Sequence, residues 1–132
     1  IVQYSAASMV SENKVLAHPA SVDSIPSSAN QEDMVSMGTT AARKSGWIVQ
    51  NTLSVLADEL LTACQAIDIR RRLNTHGQGI SPVHQKVFDR VRKDIAFYET
   101  DRELWQDIQA AEKLVRSGEL LEIVHETVSD FE

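Results

Sequence analysis

The run Ser27-Ser28-Ala29-Asn30-Gln31-Glu32-Asp33 gathers two amides and two carboxylates in one short stretch. Such groups suit polar chemistry. Amides hold polar substrate groups, and a glutamate accepts hydrogen bonds from an ammonium group or takes up a proton. Two readings stand open. In the first the run is a ligand loop, with Asn30 and Gln31 binding and Glu32 acting as the acceptor. In the second it is a polar helix cap, with Asp33 or Ser36 at the helix start and Glu32 solvated. Composition alone favours the cap, because such residues are strongly preferred at helix N-termini.

Other chemistry finds less support. The candidate metal ligands are His18, His76, His84, His125 and Cys64, and no two share ligand spacing on one helix face. His125-Glu126 lacks the second histidine of a zincin helix. Scattered packing or surface histidines are expected, with no metal site. There is no Gly-x-Ser-x-Gly elbow for a nucleophilic serine. Gly77-Gln78-Gly79 is too short for a phosphate loop, so no cofactor-binding residue is assigned. Cys64 sits among apolar residues and is expected to be a buried, inert thiol. Arg70, Arg71 and Arg72 could hold an anion, but charge complementarity at a helix C-terminus explains them more cheaply.

Helices must position these groups. Val2, Ala6, Met9, Asn13 and Leu16 recur at spacings of four and three, which predicts a helix over residues 1–17. His18-Pro19 ends it, since the residue before proline is pushed out of the helical region. Residues 18–34, with two prolines and four serines, are a connecting loop whose length points to either function or disorder. A stripe from Val35 through Thr39, Ala42, Gly46, Val49, Leu53, Leu56, Leu60 and Ala63 to Ile67 predicts a helix over about 35–71. Such a rod measures about 55 Å, against about 36 Å for the diameter of a compact domain of this length. Either the helix breaks, at Gly46, or its stripe is covered by other polypeptide; the second is favoured. Residues 73–80 form a loop, and Ser81-Pro82 starts the next helix, with Val83, Val87, Val91 and Ile95 on one face. Thr100-x-x-Glu103 has the capping-box pattern. Leu104, Ile108, Ala111 and Val115 mark the following helix, which Ser117-Gly118 closes. Leu120, Leu121, Val124 and Val128 suggest a last short helix. No stretch alternates with period two, so the class is all-α, a bundle of long helices.

Composition bounds the function. The 132 residues carry 13 basic and 19 acidic side chains, a net charge of −6, which disfavours nucleic acid as a partner. No apolar run approaches the ~20 residues of a membrane span. One cysteine fits a reducing, cytoplasmic setting. The chain opens Ile1-Val2-Gln3-Tyr4, as though inside a helix, so a fragment of a longer protein is expected. The expected organisation is one domain of that protein: a long helix pair with the 18–34 loop over residues 1–72, then C-terminal helices over 73–132.

The run SENKVLAHPASVDSIPSSANQED, within residues 3–38, resembles the histidine ammonia-lyase branch of the aromatic amino acid ammonia-lyases and aminomutases. TTAARKSG, LADELLTACQAIDIR and DRELWQDIQAAEKLVRSGEL are similar to the same family, so the resemblance covers nearly the whole chain. It implies the C-terminal quarter of a lyase subunit, which eliminates ammonia from a small-molecule L-amino acid; histidine would give urocanate. It implies an electrophilic 4-methylidene-imidazol-5-one (MIO) ring made from an internal Ala-Ser-Gly. Here Ser45-Gly46 follows Lys44 and Ser117-Gly118 follows Arg116, so the ring must form elsewhere in the subunit and the fragment alone should be inactive. The resemblance further implies a helical homotetramer, partnered by the rest of the subunit and by other subunits. It makes Glu32 a catalytic and substrate-binding residue, and Gln31 its substrate-binding neighbour. With the resemblance, Glu32 outweighs the cap reading, while Asn30 and Asp33 stay structural. Met34 departs from the family's Gln-Glu-Asp-His, leaving tyrosine or phenylalanine ammonia-lyase, or an aminomutase, as alternatives. A non-catalytic helical oligomerisation module is the alternative from another class.

Overall fold

The computed structural model describes residues 1–73 and 79–128. Among them lie five α-helices and no strand, as expected: α1 Val2–Leu16, α2 Gly38–Arg72, α3 Pro82–Asp94, α4 Trp105–Ser117 and α5 Glu119–Thr127. A 3-10 turn, Ala20–Val22, follows α1. His76 and the Gly77-Gln78 pair lie outside the described residues. No described helix is long and apolar enough to cross a membrane.

The chain divides within α2 into two compact units, Ile1–Thr52 and Leu53–Glu132. In the first, Val2, Ala6, Met9, Asn13 and Leu16 are the half-buried positions of α1 and all its other residues are exposed, matching the stripe read from spacing. The end of α1 is tied to the first half of α2 by hydrogen bonds. The Asn51 amide donates to Asn13 Oδ1 at 3.0 Å and to Glu12 Oε2 at 2.8 Å, and the Lys44 ammonium donates to the His18 carbonyl. No described residue of this unit is fully buried.

The second unit holds the core. Leu61, Val91 and Ile95 are its largest fully buried side chains, with Ala57, Cys64, Phe88, Ala111 and Leu114 around them. The stripe read along α2 is mostly uncovered within this chain. Thr39, Ala42, Gly46, Val49, Leu56 and Ala63 are exposed, Leu53, Leu60 and Ile67 are half-buried, and the buried line is Ala57, Leu61 and Cys64 with Asp58 and Gln65. The geometry explains which positions overlap. Ala57 lies about 40° around the helix from Leu53 and about 60° from Leu60, whereas Leu56 and Ala63 lie about 100° and 120° away. The α2 helix also starts at Gly38, three residues after Val35.

Local signals end the other helices. Ser81 caps α3, its hydroxyl accepting from the His84 N–H, and Pro82 occupies the first turn. Gly118, at φ +79°, closes α4 in the left-handed conformation and leads straight into α5. The capping box at Thr100 and Glu103 does not form: α4 begins at Trp105 with no side-chain cap. Tertiary contacts hold the preceding segment instead. Gln65 donates to the Tyr98 carbonyl at 2.7 Å, Arg72 pairs with Glu99, and Arg102 pairs with Asp107 at 2.6 Å.

The C-terminal arginines of α2 are committed to such contacts. The Arg71 guanidinium lies 4.6 Å from the centre of the Phe88 ring and bonds Gln85, while Arg72 covers Phe97 at 3.7 Å. Arg92 joins α3 to α2 through Asp68 at 2.8 Å, and Arg90 joins α3 to α5 through Glu119. Hydrogen bonds from Arg90 hold the Glu119 carboxyl below the usual carboxylate range.

Candidate functional site

The segment between α1 and α2 is built as two nested clamps. Pro19 ends α1, and the 3-10 turn runs into extended backbone at Asp23. Ser24 forms the outer clamp: its hydroxyl accepts from the Val35 N–H at 2.8 Å and lies 3.4 Å from the Val35 carbonyl, across eleven residues. Ser27 and Glu32 form the inner clamp as an isolated antiparallel bridge. The Ser27 N–H donates to the Glu32 carbonyl at 2.8 Å, and the Glu32 N–H returns to Ser27 at 3.3 Å. The Ser27 hydroxyl reaches Glu32 Oε2 at 3.4 Å.

The inner clamp closes over a strained turn. Ser28, Ala29 and Asn30 have φ of 51°, 55° and 68°. L-residues pay roughly 1–2 kcal/mol each in that left-handed region, Asn least. The Gln31 N–H donates to the Ser28 carbonyl at 3.1 Å and completes the turn. Strain of this kind persists where surrounding bonds over-determine the backbone, and it clusters at functional loops.

Gln31 and Glu32 therefore stand next to each other on the loop, both exposed, at the exit of the turn. Glu32 caps no helix. The Ser36 hydroxyl accepts from the first N–H of α2, that of Gly38, at 3.3 Å. Met34 is 84% exposed on the same stretch. An exposed carboxylate beside an amide can receive an ammonium or imidazole group by charge pairing and hydrogen bonding. Ser24, which holds the outer ends, was not singled out by sequence, and Ser27 opened the run there without a role of its own.

The remaining candidates are not brought together. Among the described residues no three His, Cys, Asp or Glu side chains converge as metal ligands. His84 Nδ1 bonds the Ser81 hydroxyl at 2.7 Å. Cys64 is buried, and burial pushes its thiol up, against the opposing pull of Arg92. A cysteine so placed is a poor nucleophile.

Residues 1–93 match the family model for aromatic amino acid lyases. Histidine ammonia-lyase 1 of Fusobacterium nucleatum is 52% identical over 132 residues, all of this chain and 25% of that protein. Among solved structures, histidine ammonia-lyase from Trypanosoma cruzi aligns at a TM-score of 0.81 with 43% identity, covering 92% of this chain and 23% of that one. Tyrosine aminomutase from Streptomyces globisporus aligns at 0.83 with 32% identity, covering 98% and 24%. The chain thus spans about a quarter of the length of these relatives. With the model matched over more than half its residues, this chain belongs to the aromatic amino acid lyase family.

Proposed function

We propose that this chain is the C-terminal quarter of a histidine ammonia-lyase subunit, an enzyme converting L-histidine to urocanate and ammonia in the cytoplasm. The observation that carries the reading is 52% identity to a histidine ammonia-lyase along the entire chain. Glu32 supplies a carboxylate to the substrate's ammonium or imidazole group, and Gln31 lines the pocket beside it. Ammonia leaves Cα with the C–N electron pair, and a proton leaves Cβ to a base in the rest of the subunit while its C–H pair forms the double bond; a negative charge beside the substrate's ammonium favours its binding and orientation.

The MIO electrophile belongs to the rest of the subunit. The two Ser-Gly pairs of this chain lack the preceding alanine. Their hydroxyls are committed to helical carbonyls, Ser45 to Ala41 at 3.1 Å and Ser117 to Leu114 at 2.9 Å. These residues do not fit the precursor of the ring, and the fragment alone is inactive.

Assembly as a homotetramer is supported by two features. The first unit has no fully buried residue, and α2 carries an exposed line of Val49 and Leu56, seven residues apart, with Trp47 exposed on its opposite side. Apolar lines of this kind are what helices bury against further helices. A second reading, a tyrosine or phenylalanine lyase or an aminomutase, is favoured by Met34 alone.

The test is the full-length subunit carrying this segment. It should produce urocanate from L-histidine, read by the growth of product absorbance. Glu32→Ala should lose about 10²-fold in turnover while the assembly elutes unchanged. Wild-type turnover in that variant removes Glu32 from the site.

A further inference from the structure

Resting on the reading of Glu32 as the substrate-facing carboxylate, we infer that Ser27 is its positioning residue. Three contacts join the two residues across the turn. The reciprocal backbone pair, at 2.8 and 3.3 Å, fixes the Cα of Glu32. The Ser27 hydroxyl, at a long 3.4 Å from Oε2, then biases the rotamer of the carboxylate toward its own side. Oε1 has no partner among the described residues and is left to face the substrate.

The intervening turn makes such a clamp necessary. Ser28, Ala29 and Asn30 all sit in a conformation that L-residues leave when unconstrained. Without the clamp the turn relaxes toward ordinary backbone and carries Gln31 and Glu32 away from their register. Ser24 cannot do this alone, because its bonds reach Val35 and fix only the outer ends of the loop. Ser27 is half-buried and Glu32 exposed. A group at a reacting site displaced by about 1 Å costs up to 10²-fold in rate, so even one supporting hydrogen bond is measurable.

The experiment is a double-mutant cycle in the full-length subunit, with L-histidine, L-tyrosine and L-phenylalanine each offered as substrate. Ser27→Ala should lower kcat/KM roughly tenfold with unchanged Tm and elution. Ser27→Thr, which keeps the hydroxyl, should restore it to within about twofold. Ser27→Ala added to Glu32→Ala should cost nothing further, because the serine acts through that carboxylate. Should Ser27→Ala not assemble, the near-isosteric Thr and Val variants give the same comparison, Thr active and Val impaired. Ser27→Ala at wild-type kcat/KM alongside a crippled Glu32→Ala overturns the inference, as do losses that multiply in the double variant. An unimpaired Glu32→Ala overturns instead the assignment of Glu32 on which the inference stands.

Discussion

Glu32 presents its carboxylate from a loop, and the loop is stiffened by side chains rather than by a helix or sheet. Ser24 and Ser27 each close one clamp, so the backbone between them tolerates three successive left-handed residues. This is how a short, largely exposed segment holds a charged group without burying it. Two residues away Met34 brings a polarizable, flexible side chain where the family pattern has a titratable one. Met34→His in the full-length subunit should raise kcat/KM for L-histidine about three- to tenfold over wild type and leave tyrosine turnover lower or unchanged. Parallel assays with the two amino acids check this; a gain for tyrosine reverses the assigned role of the position. The proposal of Gln31 and Glu32 as site residues rests on residue type and resemblance. The clamp was not, because it depends on hydrogen bonds between residues five and eleven apart that no periodicity announces.

At the scale of elements, the face of α2 toward α4 contains a charge problem. Asp58 is 2% exposed, and neither carboxylate oxygen has a hydrogen-bond partner. Burial, and then the charge of Glu112, raise its pKa. The raised group holds its proton in the folded state at pH values where the unfolded chain has lost it. Its contribution to stability is thus full below the unfolded carboxyl range and lost as pH rises through the raised folded value. Asp58→Asn should therefore stabilise the fold by about 1 kcal/mol at neutral pH and make little difference in acid. Thermal melts at several pH values check this, and an equal gain in acid would refute the electrostatic cause. Gly118 gives a second test. Its φ of +79° is strained for any L-residue, although a Cβ there would meet nothing within 4 Å. Gly118→Ala should cost about 1 kcal/mol through backbone conformation alone, seen as a Tm lower by several degrees.

For the whole molecule, the two units differ in what they can bury by themselves. The second closes a core around Leu61, Val91 and Ile95, whereas the first leaves every residue at least partly exposed. The 132-residue chain made alone should be helical by circular dichroism and self-associating by size-exclusion chromatography. It should show no turnover of histidine. A monodisperse, cooperatively melting monomer would contradict the role assigned to the exposed line of α2.

Amino-acid order alone determined the all-α class, the half-buried line of α1, and the helix limits set by Pro19, Ser81-Pro82 and Gly118. These depend on forces acting within a turn or two: fixed φ, missing donors, capping hydroxyls and the 3.6-residue period. Tertiary structure alone decided which line of α2 is buried, since apolar residues surround that helix and the choice went to the side meeting Phe88, Val91, Ala111 and Leu114. It also left the Thr100–Glu103 box unformed: Gln65 and Arg72 hold that segment through long-range contacts, and Arg102 pairs with Asp107 five residues on. The left-handed turn before Glu32 has the same origin: isolated Ser-Ala-Asn prefers ordinary backbone, and only closure across the loop holds it where the carboxylate is presented.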